Sequence, residues 1–203
     1  MTVNNLRKVR STFVILLTLV MLVTTYVIYL IVTKNFHVVV PGAVYRSAQP
    51  RGADLIKYHE RLGIRSVVNL RGVNPQATWY RDEVEVTERL GIELITFEMS
   101  AKRRMSPDRA RELIQVLARA QKPMLIHCNG GAYRTGLAAS LYLAGVAKIP
   151  EETAEGQLSI LYGHIPLISR AKAMDDSFED MESDFGDSED LLDRVYAFFR
   201  GTR

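Results

Sequence analysis

The chain has 203 residues, with 26 Lys and Arg against 23 Asp and Glu, for a formal net charge of +3 at pH 7. So small an excess lays down no electrostatic footprint for nucleic acid, which is excluded as an expected partner. One cysteine and four scattered histidines exclude a disulfide framework and give no metal-ligand spacing, so no metal and no other cofactor is expected.

The first element is an apolar run, Thr12 to Val32, without a charged residue. At ~1.5 Å per residue it is long enough to cross a hydrocarbon core of about 30 Å. A cleaved signal peptide has a shorter apolar region and a small-residue exit. Tyr29-Leu30-Ile31-Val32-Thr33-Lys34 offers no such exit, so the reading is an uncleaved signal anchor. Arg7, Lys8 and Arg10 precede the run, and only Lys34 and His37 follow closely. The positive-inside rule then keeps the N-terminus cytoplasmic and carries the rest across, into the periplasm of a two-membrane bacterium. Residues 1–35 are thus expected to form the N-terminus and anchor, and residues 36–203 one catalytic domain with a helical C-terminal extension.

Val38–Val40 and Val44–Tyr45 flank Pro41-Gly42 and read as short strands around a turn. Ala53–Leu62 has helical spacing and stops at Gly63; Ile64–Leu70 is rich in β-branched residues and reads as a strand. Ala77–Leu90 is a second helix ending at a glycine, Gly91, before a strand over Ile92–Met99. Ser106-Pro107 opens a helix to about Ala120, Ser as cap and Pro in the first turn. Met124–His127 is the next strand, and helices are expected over 134–146, 151–162, 170–182 and 188–200. Alternating strands and helices predict an α/β fold, a central mostly parallel sheet flanked by helices and preceded by the transmembrane helix. Residues 175–193 are acidic and read as a solvated helix face and linker, whereas Lys102-Arg103-Arg104 form a basic cluster.

The stretch that carries chemistry is His127-Cys128-Asn129-Gly130-Gly131-Ala132-Tyr133-Arg134-Thr135-Gly136. A buried strand leads in and an apolar helix leads out. Such a loop aims backbone N–H groups inward as a nest, and the helix dipole favours an anion there. Arg134 can hold two phosphate oxygens bidentately. The same field favours the thiolate of Cys128 as a nucleophile. A lone buried cysteine is most often inert; the two glycines and the following arginine reverse that reading.

Cys128-x5-Arg134-Thr135, preceded by His127, resembles the signature of the cysteine-dependent protein tyrosine and dual-specificity phosphatases. Tyr45-Arg46-Ser47-Ala48-Gln49-Pro50, Asn69-Leu70-Arg71 and Leu161-Tyr162-Gly163-His164 resemble landmarks of the bacterial dual-specificity-like branch. The resemblance implies a phosphatase fold with Cys128 as nucleophile and a phosphocysteine intermediate. It further implies that His127 orients and acidifies the thiol, that Thr135 assists breakdown of the intermediate, and that Asn129, Gly130, Gly131, Ala132, Tyr133 and Arg134 bind phosphate. Gly131 is expected to let the backbone approach the phosphate.

In the family an Asp on the loop after the preceding strand protonates the leaving oxygen. Here that stretch reads Phe97-Glu98-Met99-Ser100-Ala101-Lys102-Arg103-Arg104, and the alternative position before the arginine is Tyr133. Glu98 and Asp108 are the nearest carboxylates and the candidate acids. Lys102, Arg103, Arg104 and Arg46 are candidate rim residues for an anionic substrate. Asn129 and Tyr133 stand where phosphoinositide-selective relatives carry basic residues, so a preference for inositol phosphates is not expected. The expectation is a membrane-anchored phosphatase acting on phosphotyrosine or phosphoserine/threonine proteins. The alternatives are a phospholipid or glycolipid phosphatase at the membrane surface, or a phosphate-binding pseudophosphatase. Nothing in the sequence sets an oligomeric state.

Overall fold

The computed structural model describes residues 3–165 and 169–185. The chain divides into two units, Met1–Thr33 and Lys34–Arg203. The first is one helix, α1 (Val3–Val32). Within it Arg10–Val32 spans 23 residues at a mean hydropathy of 2.6, long and apolar enough to cross a membrane by length and composition. The hydroxyl of Thr18 donates to Val14 O at 2.9 Å, so its polar group is satisfied inside the helix.

The second unit is built on β1 (His37–Val40), β2 (Val44–Ser47), β3 (Ser66–Asn69), β4 (Glu93–Thr96) and β5 (Met124–His127). They form one sheet of order β1-β2-β5-β3-β4, in which only the β1/β2 pair is antiparallel. The three inner strands are buried along their whole length, as apolar runs in parallel sheets are. Alternate residues feed two cores. Val44, Val68, Met124 and Ile126 face one, and Tyr45, Val67 and Leu125 face the other.

The second core is covered by α2 (Gly52–Leu62) and α3 (Thr78–Leu90), through Leu55, Tyr58 and Val86. The first is covered by α4 (Pro107–Arg119), α5 (Tyr133–Leu141) and α7 (Ser169–Glu179), through Leu113, Leu117, Leu137, Leu141, Met174 and Phe178. The punctuation read from the sequence operates as expected. Gly63 and Gly91, both at φ 66°, end α2 and α3 in the left-handed conformation. Ser106 caps α4 by accepting from Arg109 N, with Pro107 in the first turn.

Three helices differ from the expectation. The helix read over 134–146 is α-helical only to Leu141 and continues as a π turn, Tyr142–Val146. There Gly145 lies so close to α4 that a Cβ would stand 2.9 Å from Ile114 Cδ1. The helix read over 151–162 is instead α6 (Glu151–Glu155), stopped at Gly156, followed by a 3-10 turn, Ile160–Tyr162, with Ser159 at its start. The last described helix breaks after Glu179 and resumes as α8 (Glu182–Phe185). The helix expected over 188–200 lies outside the described residues.

The described part of the acidic run is not merely solvated. Asp180 pairs with Arg104, Asp184 with Arg111, and Asp175 with His164. The hydroxyl of Ser177 accepts from Met105 N at 2.8 Å in a buried position. The contacts of Arg104, Met105 and Arg111 fasten α4 and the chain just before it to the segment from Ser177 to Asp184, and that of Asp175 ties α7 to His164.

Candidate active site

Strand register gathers three sequence motifs at one edge. Ser47 of β2 and Asn69 of β3 both stand opposite His127 of β5, at the carboxyl ends of parallel strands. That edge is where open α/β sheets hold ligands. Cys128 follows immediately and is buried. The loop then turns through Asn129–Ala132 into the N-terminus of α5, which begins at Tyr133.

The loop's carbonyls are held away from its interior. Asn129 O accepts from Gln49 N at 3.1 Å. Gly131 O and Ala132 O accept from Arg46 Nη2 at 2.8 and 3.4 Å. A peptide plane sets its N–H opposite its C=O, so outward carbonyls leave the following N–H groups directed inward, as an anion nest requires.

Arg46 is therefore not at the rim, where the sequence reading put it. It is fully buried behind the loop. Its Nη1 donates to both Gln157 O and Gln157 Oε1 at 2.8 Å, and its guanidinium lies 4.0 Å from the Tyr162 ring centroid. Burial lowers its pKa to about 10, with Tyr162 and Cys128 opposing that shift, so the group is a cation at neutral pH. Desolvating a guanidinium is costly, and these acceptors together with the aromatic face offset the cost.

Gly131 meets a second demand, apart from the approach to phosphate expected of it. Its φ is 70°, and a Cβ there would stand 2.6 Å from Ala48 N and 2.7 Å from Ser47 C. A close approach that glycine permits here is to the backbone leaving β2. Gly130 has open space at the same position.

Arg134, in the first turn of α5, donates through Nη1 to Leu70 O at 3.1 Å and Met99 O at 3.3 Å. Those carbonyls lie just beyond β3 and β4, so the guanidinium is seated between two strand exits. Nε and Nη2 carry its remaining donors. Thr135 is fully buried, and its hydroxyl has no hydrogen-bond partner among the described residues. Tyr133 packs its ring 5.5 Å from that of His164.

His127 is fully buried, and its Nε2 lies 2.7 Å from Glu83 Oε1, too far off line to count as a hydrogen bond. Glu83 accepts from Asn69 Nδ2 at 2.7 Å and from Gln49 Nε2 at 3.3 Å. Asn69 Oδ1 in turn accepts from Arg71 N at 2.7 Å. Arg71 reaches Gln49 Oε1 at 2.9 Å and stacks 3.6 Å over Trp79. Burial first, and then the neighbouring Arg134, lowers the pKa of Arg71. The sequence reading passed over Glu83. A signal for it was present: it shares the buried face of α3 with Val86 and Thr87, where a carboxylate is out of place unless partnered.

The candidate acids separate. Asp108 is 96 % exposed and paired with Arg111 on the surface of α4, so its carboxylate is engaged in solvent. Glu98 packs over Gly72, where a Cβ would stand 2.9 Å from Glu98 Cδ. Among the rim residues Lys102 is at the surface, and Arg104 is bound by Asp180. Arg103 lines a cavity of about 400 Å³ together with Glu98, Met99, Ser100, Met105 and Met174.

A thiol at the floor of an anion cradle, under an arginine seated by backbone carbonyls, defines a cysteine-dependent phosphatase. The chain belongs to the PTP-SAK family, the Swiss Army Knife protein DSP-PTPase phosphatase domain, whose model matches residues 33–178. It is 33% identical over 108 residues to the inositol diphosphatase SIW14 of Saccharomyces cerevisiae, a match covering 51% of this chain and 37% of that protein. The chain thus spans little more than a third of that relative. The fold is similar to the core catalytic domain of S. cerevisiae SIW14, a PP-IP phosphatase, with a TM-score of 0.54 and 20% identity. That match covers 84% of this chain and 95% of the other. It is also similar to P. aeruginosa TpbA in complex with pTyr, with a TM-score of 0.56 and 19% identity over 74% of this chain and 92% of that one.

The glycine pair gives a direct check of the cradle. Gly131→Ala must both overlap the Ser47–Ala48 backbone and hold φ 70°, a conformation costing about 1–3 kcal/mol outside glycine. It is expected to lower melting temperature and phosphate affinity together, whereas Gly130→Ala leaves the melting temperature within a degree or so of the parent.

Proposed function

We propose that this protein is a membrane-anchored phosphomonoesterase that works through a phosphocysteine on phosphorylated protein side chains. The observation that carries the reading is the lone buried thiol beneath a loop whose carbonyls are bonded outward. The Cys128 thiolate attacks phosphorus in line with the leaving oxygen, forming S–P as P–O breaks. The inward amides and Arg134 stabilise the phosphoryl oxygens as charge shifts. Water then cleaves S–P and releases phosphate. Thr135, whose buried O–H is unengaged among the described residues, is assigned to donate to the departing sulfur. Glu98 is assigned the proton for the leaving oxygen. Its support is its seat over Gly72 and on the cavity that shares Met99 with Arg134.

The full-length chain in detergent should hydrolyse an aryl phosphate in the presence of chelator, and Cys128→Ser should abolish turnover. Glu98→Gln should slow esters of poor leaving groups by about a hundredfold and spare those of good ones. A parental rate from Cys128→Ser would sink the thiol mechanism, and equal slowing of both esters would remove Glu98 from it.

The membrane reading rests on the apolar stretch Arg10–Val32 and on the basic residues before it. With the N-terminus cytoplasmic, the catalytic unit is extracytoplasmic, and a reporter that works only outside the cytoplasm should be active when fused to its C-terminus. Activity of a cytoplasm-only reporter would reverse the orientation.

A second reading is favoured by the cavity that shares Met99 with the seat of Arg134. Met99, Met105 and Met174 line it as buried apolar walls. Arg104 and Arg109 are paired with Asp180 and Glu112, whereas Arg103 makes no ion pair among the described residues. A small or lipid substrate with a second anionic group would suit that free guanidinium. The SIW14 relative is an inositol diphosphatase, and the TpbA structure holds pTyr, so each reading has a counterpart among the similar proteins. Arg103→Ala should weaken KM for a bis-phosphorylated substrate about tenfold and leave a phosphotyrosyl peptide unaffected if this second reading holds.

A further inference from the structure

Asn35 is 3 % exposed and has left-handed backbone, φ 46°. Its Nδ2 donates to Gly130 O at 3.0 Å and to Tyr162 O at 2.9 Å. Its Oδ1 lies 2.9 Å from His37 Nε2. Burial, and then the charge of Arg46, lowers the pKa of His37, so the ring is neutral at neutral pH and donates from Nε2 to the amide oxygen. That bond fixes which end of the amide faces the loop. His37 in turn sets its ring edge-on to Tyr162 at 4.8 Å, the ring that faces Arg46 from its other contacts.

Gly130 O is the loop carbonyl that neither Arg46 nor the backbone of Gln49 holds. It belongs to the peptide between Gly130 and Gly131. With no Cβ on either side, this peptide meets the least steric resistance to rotation in the loop. If its carbonyl turned inward, the Gly131 N–H would leave the cradle and an oxygen dipole would face the bound anion.

We propose that Asn35 is a positioning residue for the phosphate loop: by holding Gly130 O outward, it keeps the Gly131 N–H aimed at the phosphoryl group. The proposal rests on the reading of residues 128–134 as a phosphoryl-binding cradle. It gives the first residues after the apolar helix a part in the chemistry, beyond that of a tether.

The test uses the full-length chain in detergent with Asn35→Gly, which keeps the left-handed backbone and removes the side chain. Lys34→Gly, at a neighbouring left-handed residue with φ 58°, controls for backbone freedom. Inhibition by vanadate, kcat and KM for an aryl phosphate, and melting temperature are measured on each. Asn35→Gly should weaken vanadate about fivefold to tenfold and lower kcat with KM nearly kept, the size of one lost hydrogen bond to the reacting group. Lys34→Gly should match the parent. Partial unfolding alone would lower kcat without touching vanadate affinity. Vanadate affinity within twofold of the parent therefore overturns the proposal, whatever the melting temperature does. Should Asn35→Gly fail to fold, Asn35→Asp, which keeps the acceptor for His37 and loses the donor to Gly130, decides by the same comparison. If the parent has no turnover, the enzymatic reading falls, while calorimetry of vanadate binding still decides the role of Asn35. A parent that binds no vanadate overturns both.

Discussion

Peptide planes impose the central constraint on this site: an N–H can point into the phosphate cradle only if the preceding carbonyl points out, and an outward carbonyl in a buried place needs a donor. Arg46 meets that demand at two loop carbonyls with one side chain, reaching Gly131 O and Ala132 O and Gln157 beyond the loop. Much of the surrounding architecture serves to keep this cation buried and charged. β2 carries it to the strand end beside β5, Tyr162 offers its face, and the chain after α6 supplies Gln157. The halt of that helix at Gly156 then has a reason, because a continued helix would have engaged the Gln157 carbonyl in its own ladder.

A second set of polar contacts lies on the α3 side of β5. Glu83, Asn69 and His127 share one buried cluster, joined by half-buried Gln49 after β2 and by Arg71 from the loop after β3. Its members come from four elements, so it specifies how they meet as well as how His127 is turned. On the opposite face, Met105 N to Ser177 Oγ and the pairs Arg104–Asp180 and Arg111–Asp184 hold the entry to α4 against the last described helices. The exposed pairs contribute little stability individually; the buried bond to Ser177 is the one with a fixed geometry.

The sequence disclosed the elements with strong local causes. β5 runs over the four residues read for it, α4 begins at Ser106-Pro107, and two helices stop at glycines. The nucleophile loop was legible because glycine, cysteine and arginine spacing there reflects local backbone chemistry. What eluded the sequence depends on register between distant strands. Arg46 looked like a surface cation, since nothing local says that its strand lies beside β5 and points it beneath the loop. Asn35 was silent, its partner Gly130 lying 95 residues away along the chain, and Glu83 was marked only by its place on a buried helix face, not by its distant partner His127. The interruption of the helices after Leu141 and Gly156 likewise answers to packing on Ile114 and to Arg46, neither of which propensity can register.

The solitary thiol has a consequence for survival under oxidants. A nucleophilic cysteine is readily converted to a sulfenic acid, which a neighbouring cysteine ordinarily captures as a disulfide before further damage. These 203 residues contain no second sulfhydryl. Recovery within the chain is left to condensation with a backbone nitrogen of the loop, and otherwise to a thiol brought by another molecule. Peroxide would thus silence Cys128 in a form whose lifetime is set by the reductants around it, and past the sulfinic stage the loss is permanent.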